Sequence, residues 1–176
     1  MTSVVRIRWI PLLVASLVVL SPFAIAQDWK TYSYPADGFS VSAPSSPVAS
    51  TQNVTNADGT VEMHNYLVDV GSAALYASVA EDASLLKKNT EEALKGAEKG
   101  AVDNVHGRLV SDKRIVLGDY PGIEVEVEND TAHFTARIYI VRSTLYLMLV
   151  VTGLGKPYPD AQRFLDSFHL IQRTSS

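Results

Sequence analysis

The stretch Gly122 to Val151, GIEVEVENDTAHFTARIYIVRSTLYLMLVV, decides the fold. Glu124, Glu126 and Glu128 stand at every second position, with Ile123, Val125 and Val127 between them. Side chains alternate across a strand with period two, so this pattern is a half-wet strand. The corner Asn129-Asp130-Thr131-Ala132 suits a hairpin, and reversal there sets Glu128 opposite His133, Glu126 opposite Thr135 and Glu124 opposite Arg137. The acids then lie in water facing opposite charges, and Ile123, Val125, Val127, Phe134, Ala136, Ile138 and Ile140 share the other face. A second reversal near Arg142-Ser143 leads into Leu145 to Val151, a run apolar on both faces. A strand of that kind needs cover on both sides. It belongs near the centre of a sheet.

A row of three carboxylates also invites a cation. Carboxylates two apart on a strand are rooted roughly 6.6 Å from one another, whereas calcium gathers six to eight oxygens at about 2.3–2.6 Å. Three glutamates on a straight strand therefore do not converge on one ion, and the row reads as a solvated face. No metal site is assigned.

Outward from this centre, WKTYSYPADGFSVSA (29–43) reads as two short strands around a Pro35-Ala36-Asp37-Gly38 turn. Residues 44–60, rich in Pro, Ser, Thr and Asn with little to bury, read as a loop. Two strands follow, 61–70 and 73–82, broken at Gly71-Ser72. Leu86, Ala93, Leu94, Ala97, Ala101 and Val105 recur at three- and four-residue steps, a thin apolar stripe of a helix. Asn89 and Glu92 form a capping-box pair, so the regular part of that helix starts near Asn89. Gly96 and Gly100 weaken the helix, and the expectation is that they make room for its approach to a flat surface. Residues 108–117 form another strand, Gly118 to Gly122 a turn or bulge, and 157–171 a short helix followed by an edge strand.

The N-terminus carries Arg6 and Arg8, an apolar run from Trp9 to Leu20, and Ala24-Ile25-Ala26 at cleavage spacing. This is the pattern of an export signal spanning 1–26, leaving one domain over 27–176. The competing reading is a retained membrane anchor, since the charge-free stretch nears the roughly 20 residues of a span. Removal of the signal takes two of 15 basic residues and none of 19 acidic ones, leaving a net charge of −6. Nucleic acid and anionic membranes want a cationic footprint, so both are excluded as partners. The chain has no cysteine. It must hold together by packing alone, which a domain of about 150 residues can do. Export without disulfides fits a bacterial envelope protein, periplasmic or secreted. The triplets at Asn53 and Asn129 have sequon form but are common by chance.

Four further groupings carry no chemistry at this level. TGLGKP (152–157) lacks the first glycine and the hydroxyl residue of a phosphate loop. Asp166, Ser167 and His169 are sequence neighbours, which do not line up as nucleophile, base and orienter. His64, His106, His133 and His169 sit on four separate elements without metal spacing, and Asp103 with His106 reads as ordinary helix-end surface. Trp29, Tyr32 and Tyr34 read as packing of an N-terminal strand. No catalytic, cofactor-binding or metal residue is assigned, no cofactor is expected, and the chain is read as a non-enzyme.

YSYPADGFSVSAP near the start, GDYPGIEVEVEN with ARIYIVRSTLYLMLV in the middle, and RFLDSFHLI at the end together resemble the PsbP-like superfamily, notably its small exported bacterial members. The resemblance implies an α+β fold, a mainly antiparallel sheet flanked by helices on both faces. It also implies docking onto larger assemblies in place of catalysis. The expected function is thus a non-catalytic, protein-binding accessory factor of the envelope. The alternatives are a small-ligand carrier with a cleft between helix and sheet, or an unrecognised hydrolase.

Overall fold

The computed structural model describes residues 28–56 and 59–173. The expected export signal lies outside them. The alternating hairpin forms as its pattern dictates: β7 (Tyr120–Glu128), β8 (Ala132–Val141) and β9 (Thr144–Gly153) are antiparallel neighbours. The pairs are Glu128 with His133, Glu126 with Thr135, and Glu124 with Arg137. Asn129 fixes the corner, its side-chain oxygen accepting from Thr131 N at 3.0 Å and Ala132 N at 2.9 Å while its amide donates to Val105 O at 3.1 Å.

Earlier in the chain come β1 (Lys30–Tyr34), β2 (Phe39–Ala43), β3 (Val48–Asn56), β4 (Gly59–Asp69) and β5 (Ala73–Glu81). A 3-10 turn (Ala83–Lys87), α1 (Thr90–Asn104) and β6 (Arg108–Leu117) follow, and α2 (Ala161–Asp166) and β10 (His169–Leu170) close the chain. A seven-stranded antiparallel sheet runs β3-β4-β5-β9-β8-β7-β6, with β9 fourth of the seven, and a three-stranded sheet runs β1-β2-β10. Asn89 caps α1, accepting from Glu91 N at 2.8 Å. Gly122 is required in β7, because a Cβ there would stand 2.5 Å from the Tyr139 ring.

Three expectations are revised. Residues 48–56 are an edge strand instead of loop: backbone pairing with β4 holds them, and an edge strand needs little side-chain burial. Gly96 and Gly100 do not face the sheet, since both are exposed with open space where a side chain would stand. The layers also differ from a helix on each side. On one face, here the helix face, α1 packs Ala93 and Leu94 on Ile123, Val125, Ala136, Ile138 and Ile140. On the other, the small-sheet face, β2 sets Phe39 and Val41 against Leu75, Tyr146 and Met148, and six-residue α2 adds Phe164 and Leu165. The second cover is therefore mainly a sheet.

Strand β9 records the difference. Its residues alternate strictly, with Tyr146, Met148 and Val150 buried on the small-sheet face and Leu145, Leu147 and Leu149 only half-buried on the helix face. Among the described residues no helix is long and apolar enough to cross a membrane.

Candidate functional site

The densest group of interacting polar side chains forms where the small sheet meets the large one. Pro35-Ala36-Asp37-Gly38 turns β1 into β2, and Gly38 takes the left-handed conformation (φ 77°) that completes the corner. The turn drives Asp37 inward to meet His64 and Tyr66, which the two-residue strand period sets on the same face of β4. The Asp37 carboxylate bonds His64 Nδ1 at 2.8 Å and accepts from the Tyr66 hydroxyl. His64 Nε2 meets Glu62 Oε1 at 3.0 Å. Tyr146, from the sheet centre, donates its hydroxyl to Asp37 O at 2.8 Å, and Ile171 N donates to Gly38 O at 2.9 Å. Arg173 pairs with Glu81 beside them.

Glu62 and Asp37 both favour the imidazolium, so the His64 pKa is raised above its ordinary value. Burial, and then the bond to Asp37, pushes the Tyr66 phenol above the usual tyrosine range. A histidine with a carboxylate on each nitrogen is a poor base and a good clamp. Beside it opens a cavity of about 300 Å³ bounded by Ala36, Asp37, Glu62, His64, Glu81 and Arg173. In the sequence Asp37 reads as a turn residue and His64 stands isolated. The available signal was the shared parity of His64 and Tyr66, but nothing in the sequence sets their face against residue 37.

The glutamate row does not converge. Glu124 accepts from Arg137 Nε at 2.5 Å, Glu126 from Ser111 Oγ at 3.1 Å, and Glu128 from Arg108 Nη2 at 2.6 Å. Arg137 also donates to Asp166 of α2 at 2.7 Å and holds that carboxyl below the usual carboxylate range. The row is more enclosed than a wet face, Glu124 and Glu128 being half-buried. Among the described residues no group of three or more His, Asp or Glu side chains is placed to hold a metal.

His133 bonds Glu128 through Nδ1 at 3.2 Å, and its Nε2 lies 3.3 Å from the Thr135 hydroxyl. The order hydroxyl, imidazole, carboxylate is that of a nucleophilic relay. Yet neither His133 nor Thr135 lines the 300 Å³ cavity or a second, open one of about 500 Å³ between the β6 start and the β7–β8 turn. A nucleophile needs a seat for its substrate.

The remaining sequence candidates make local contacts, and His106 also borders the 500 Å³ cavity. Ser167 accepts from Ser42 N at 3.0 Å and donates to Phe164 O at 2.7 Å, while His169 Nδ1 meets the Ser167 carbonyl at 2.9 Å. TGLGKP is the end of β9 and a tight turn, Lys156 N donating to Gly153 O at 2.9 Å. Asp103 pairs with Lys99, and His106 follows the helix in a left-handed conformation. Tyr34 packs on Tyr66 and Phe39, and Arg163 lies over the Trp29 ring at 4.5 Å. Asn53 pairs with Glu62 in the β3–β4 ladder.

No protein-family model and no curated protein matches the sequence. The structure is similar to the solution structure of cyanobacterial PsbP (CyanoP) from Synechocystis sp. PCC 6803, at 16% identity and a TM-score of 0.53, over 89% of this chain and 99% of that one. A Pseudomonas aeruginosa protein of unknown function is similar at 10% identity and a TM-score of 0.42, over 71% of this chain and 99% of that one. The fold is PsbP-like.

Proposed function

We propose that this PsbP-like domain is an exported, non-catalytic accessory module that binds another protein of the bacterial cell envelope. The observation that carries the reading is a filled interior. Phe39, Leu75, Ile123, Val125 and Met148 have no exposed surface, and α1 sits directly on the sheet. A carrier of small apolar ligands needs an apolar hollow between helix and sheet. The two cavities described above instead open at the rim among charged side chains. An accessory module works through its outside. The signal-like N-terminus and the net negative charge of the chain support an envelope location and a protein partner.

The test is capture of tagged mature protein from envelope extract of the cell that makes it, with native mass spectrometry of the eluate. A stoichiometric protein partner is the expected result. A co-purifying small molecule without a protein would replace the reading with the carrier. The relay of Thr135, His133 and Glu128 gives the hydrolase its one foothold; labelling of Thr135 by a hydroxyl-directed acylating probe, lost in His133→Ala, would establish it.

A further inference from the structure

The large sheet ends in two edge strands, β3 and β6, and they are built differently. An edge strand presents unpaired N–H and C=O groups that another strand can join, so exposed edges are normally blunted by charge, bulges or brevity. Strand β6 is blunted. It carries Arg108, Asp112, Lys113 and Arg114, and its register with β7 slips between Leu109 and Ser111. The edges of the small sheet are short, five residues in β1 and two in β10. Strand β3 has none of these devices. Its nine residues, VASTQNVTN, hold no charge and no proline, and all of them pair with β4 in unbroken register.

The ladder also runs past the rest of the sheet. Strand β4 pairs with β5 from Met63 to Asp69 only, yet with β3 as far as Asn56 and Gly59. The pairs Asn53–Glu62, Val54–Val61, Thr55–Thr60 and Asn56–Gly59 thus form a two-stranded arm. A two-stranded ribbon is marginal in water, and a third strand is what makes it stable. Strand β5 ends at Glu81, so the flank of β3 is where a third strand can run the whole length of the arm. From Val48 to Thr55 every residue except Val54 is exposed, so neither face of the strand is covered.

We infer that β3 pairs antiparallel with β3 of a second copy of this chain, across a two-fold axis, joining two seven-stranded sheets into one. What fits the edge is a strand, because a strand offers C=O and N–H groups at the matching spacing. Charge selects the copy. Two copies of an acidic chain repel one another, but the sequence from Phe39 to Ala57 contains no Asp, Glu, Lys or Arg. A strand set against its own mate there brings no like charges together. A foreign strand finds little on β3 to fix its identity or register, since β3 carries no charge and lines neither cavity described above. A second copy needs no such reading and is present wherever the first is. Symmetry also closes the assembly. Pairing consumes both β3 edges and leaves the blunted β6 strands outermost, so growth stops at two.

The inference goes beyond the docking reading and does not rest on it. Sedimentation velocity of the purified mature chain over a dilution series is expected to show a monomer–dimer equilibrium. Ser50→Lys combined with Gln52→Lys sets like charges across the axis and should weaken association about tenfold or more. Both positions are exposed, so the melting temperature of the diluted variant should stay near wild type, which separates lost pairing from unfolding. Lys113→Gln, on the other edge, should leave association unchanged. The chain has no cysteine, so a nitroxide can be placed at one position alone. Spin-label distances should be short between two copies of Gln52→Cys, across one strand spacing. They should be far longer for Lys113→Cys, about thirteen strand spacings apart. A monomer at every concentration overturns the inference. So does a dimer that the two lysines leave intact, a series of growing oligomers, or a short distance from position 113. An envelope partner captured by wild type and lost with the two lysines, while the chain alone stays monomeric, assigns β3 to a foreign strand and also overturns it.

Discussion

Two regions of the large sheet are only partly covered, and they lie diagonally across it. On the small-sheet face, β6 to β8 present Glu124, Glu126, Glu128, His133 and Arg137. On the helix face, β9 to β3 present Leu149, Tyr76, Leu67 and Val48. Both are half-exposed, so exposure does not tell them apart. The partners of the side chains do. Each glutamate in the first region is met by Ser111 or a cation from an adjacent strand, and α2 ties in through Asp166. In the second, Leu149, Tyr76 and Leu67 are half-buried apolar side chains and Val48 is 68% exposed. A sheet surface can be finished by cross-strand pairing, or it can be left for something else to finish.

The largest test of this contrast uses one strand. Met148→Ala empties a site with no exposure and is expected to cost about 2–5 kcal/mol in urea unfolding. Leu149→Ala, its neighbour on the open side, is expected to cost no more than about 1–2 kcal/mol, since part of that side chain already meets water. Equal losses would mean that the helix face is closed over Leu149 as the other face is over Met148.

The paired region breaks next. The Arg137 side chain is 13% exposed and serves two carboxylates. Arg137→Met strands the half-buried Glu124 and is expected to cost about 1–3 kcal/mol. With Glu124→Gln, a double-mutant cycle measured by thermal melting should return a coupling of about 0.5–2 kcal/mol. No coupling would make the row an ordinary solvated surface.

Much of this was written into the chain locally. The alternation through Ile123 to Val151, with a corner at Asn129, fixes register, faces and the central place of β9, because period-two patterning and turn chemistry both act over a few residues. What escaped is what depends on distant parts. Val48 to Asn56 has no burial pattern, since an edge strand is held by backbone pairing to β4. The two apolar faces of Leu145 to Val151 imply cover without saying whether helix or sheet supplies it, or whether this chain supplies all of it. The glycines of α1 were legible as weak points of a helix, but that both turn to open space and away from the sheet depends on how the helix is set on β7 and β8. The Asp37–His64–Tyr66 cluster joins residues up to 29 positions apart, and no local signal sets that distance to zero.

The smallest effects come from pH, and they separate the two regions by sign. His64 has its pKa raised above the ordinary 6.5 by Glu62 and Asp37. Its contribution is complete below 6.5 and is lost as pH rises through the higher folded value. Asp166 is lowered below the ordinary 3.8 by Arg137, so its contribution is present above 3.8 and is lost as pH falls through the folded value. Both side chains are well exposed, 41% and 58%, which keeps each effect below that of Arg137→Met. Melting temperatures between pH 3 and pH 10 should show His64→Gln converging on wild type at the alkaline end and Asp166→Asn converging at the acid end. Val48→Ser, in the uncharged region, should shift the melting temperature by the same amount at every pH. A pH-dependent Val48→Ser would mean that a titrating group reaches the row and that the two regions do not differ in charge as described.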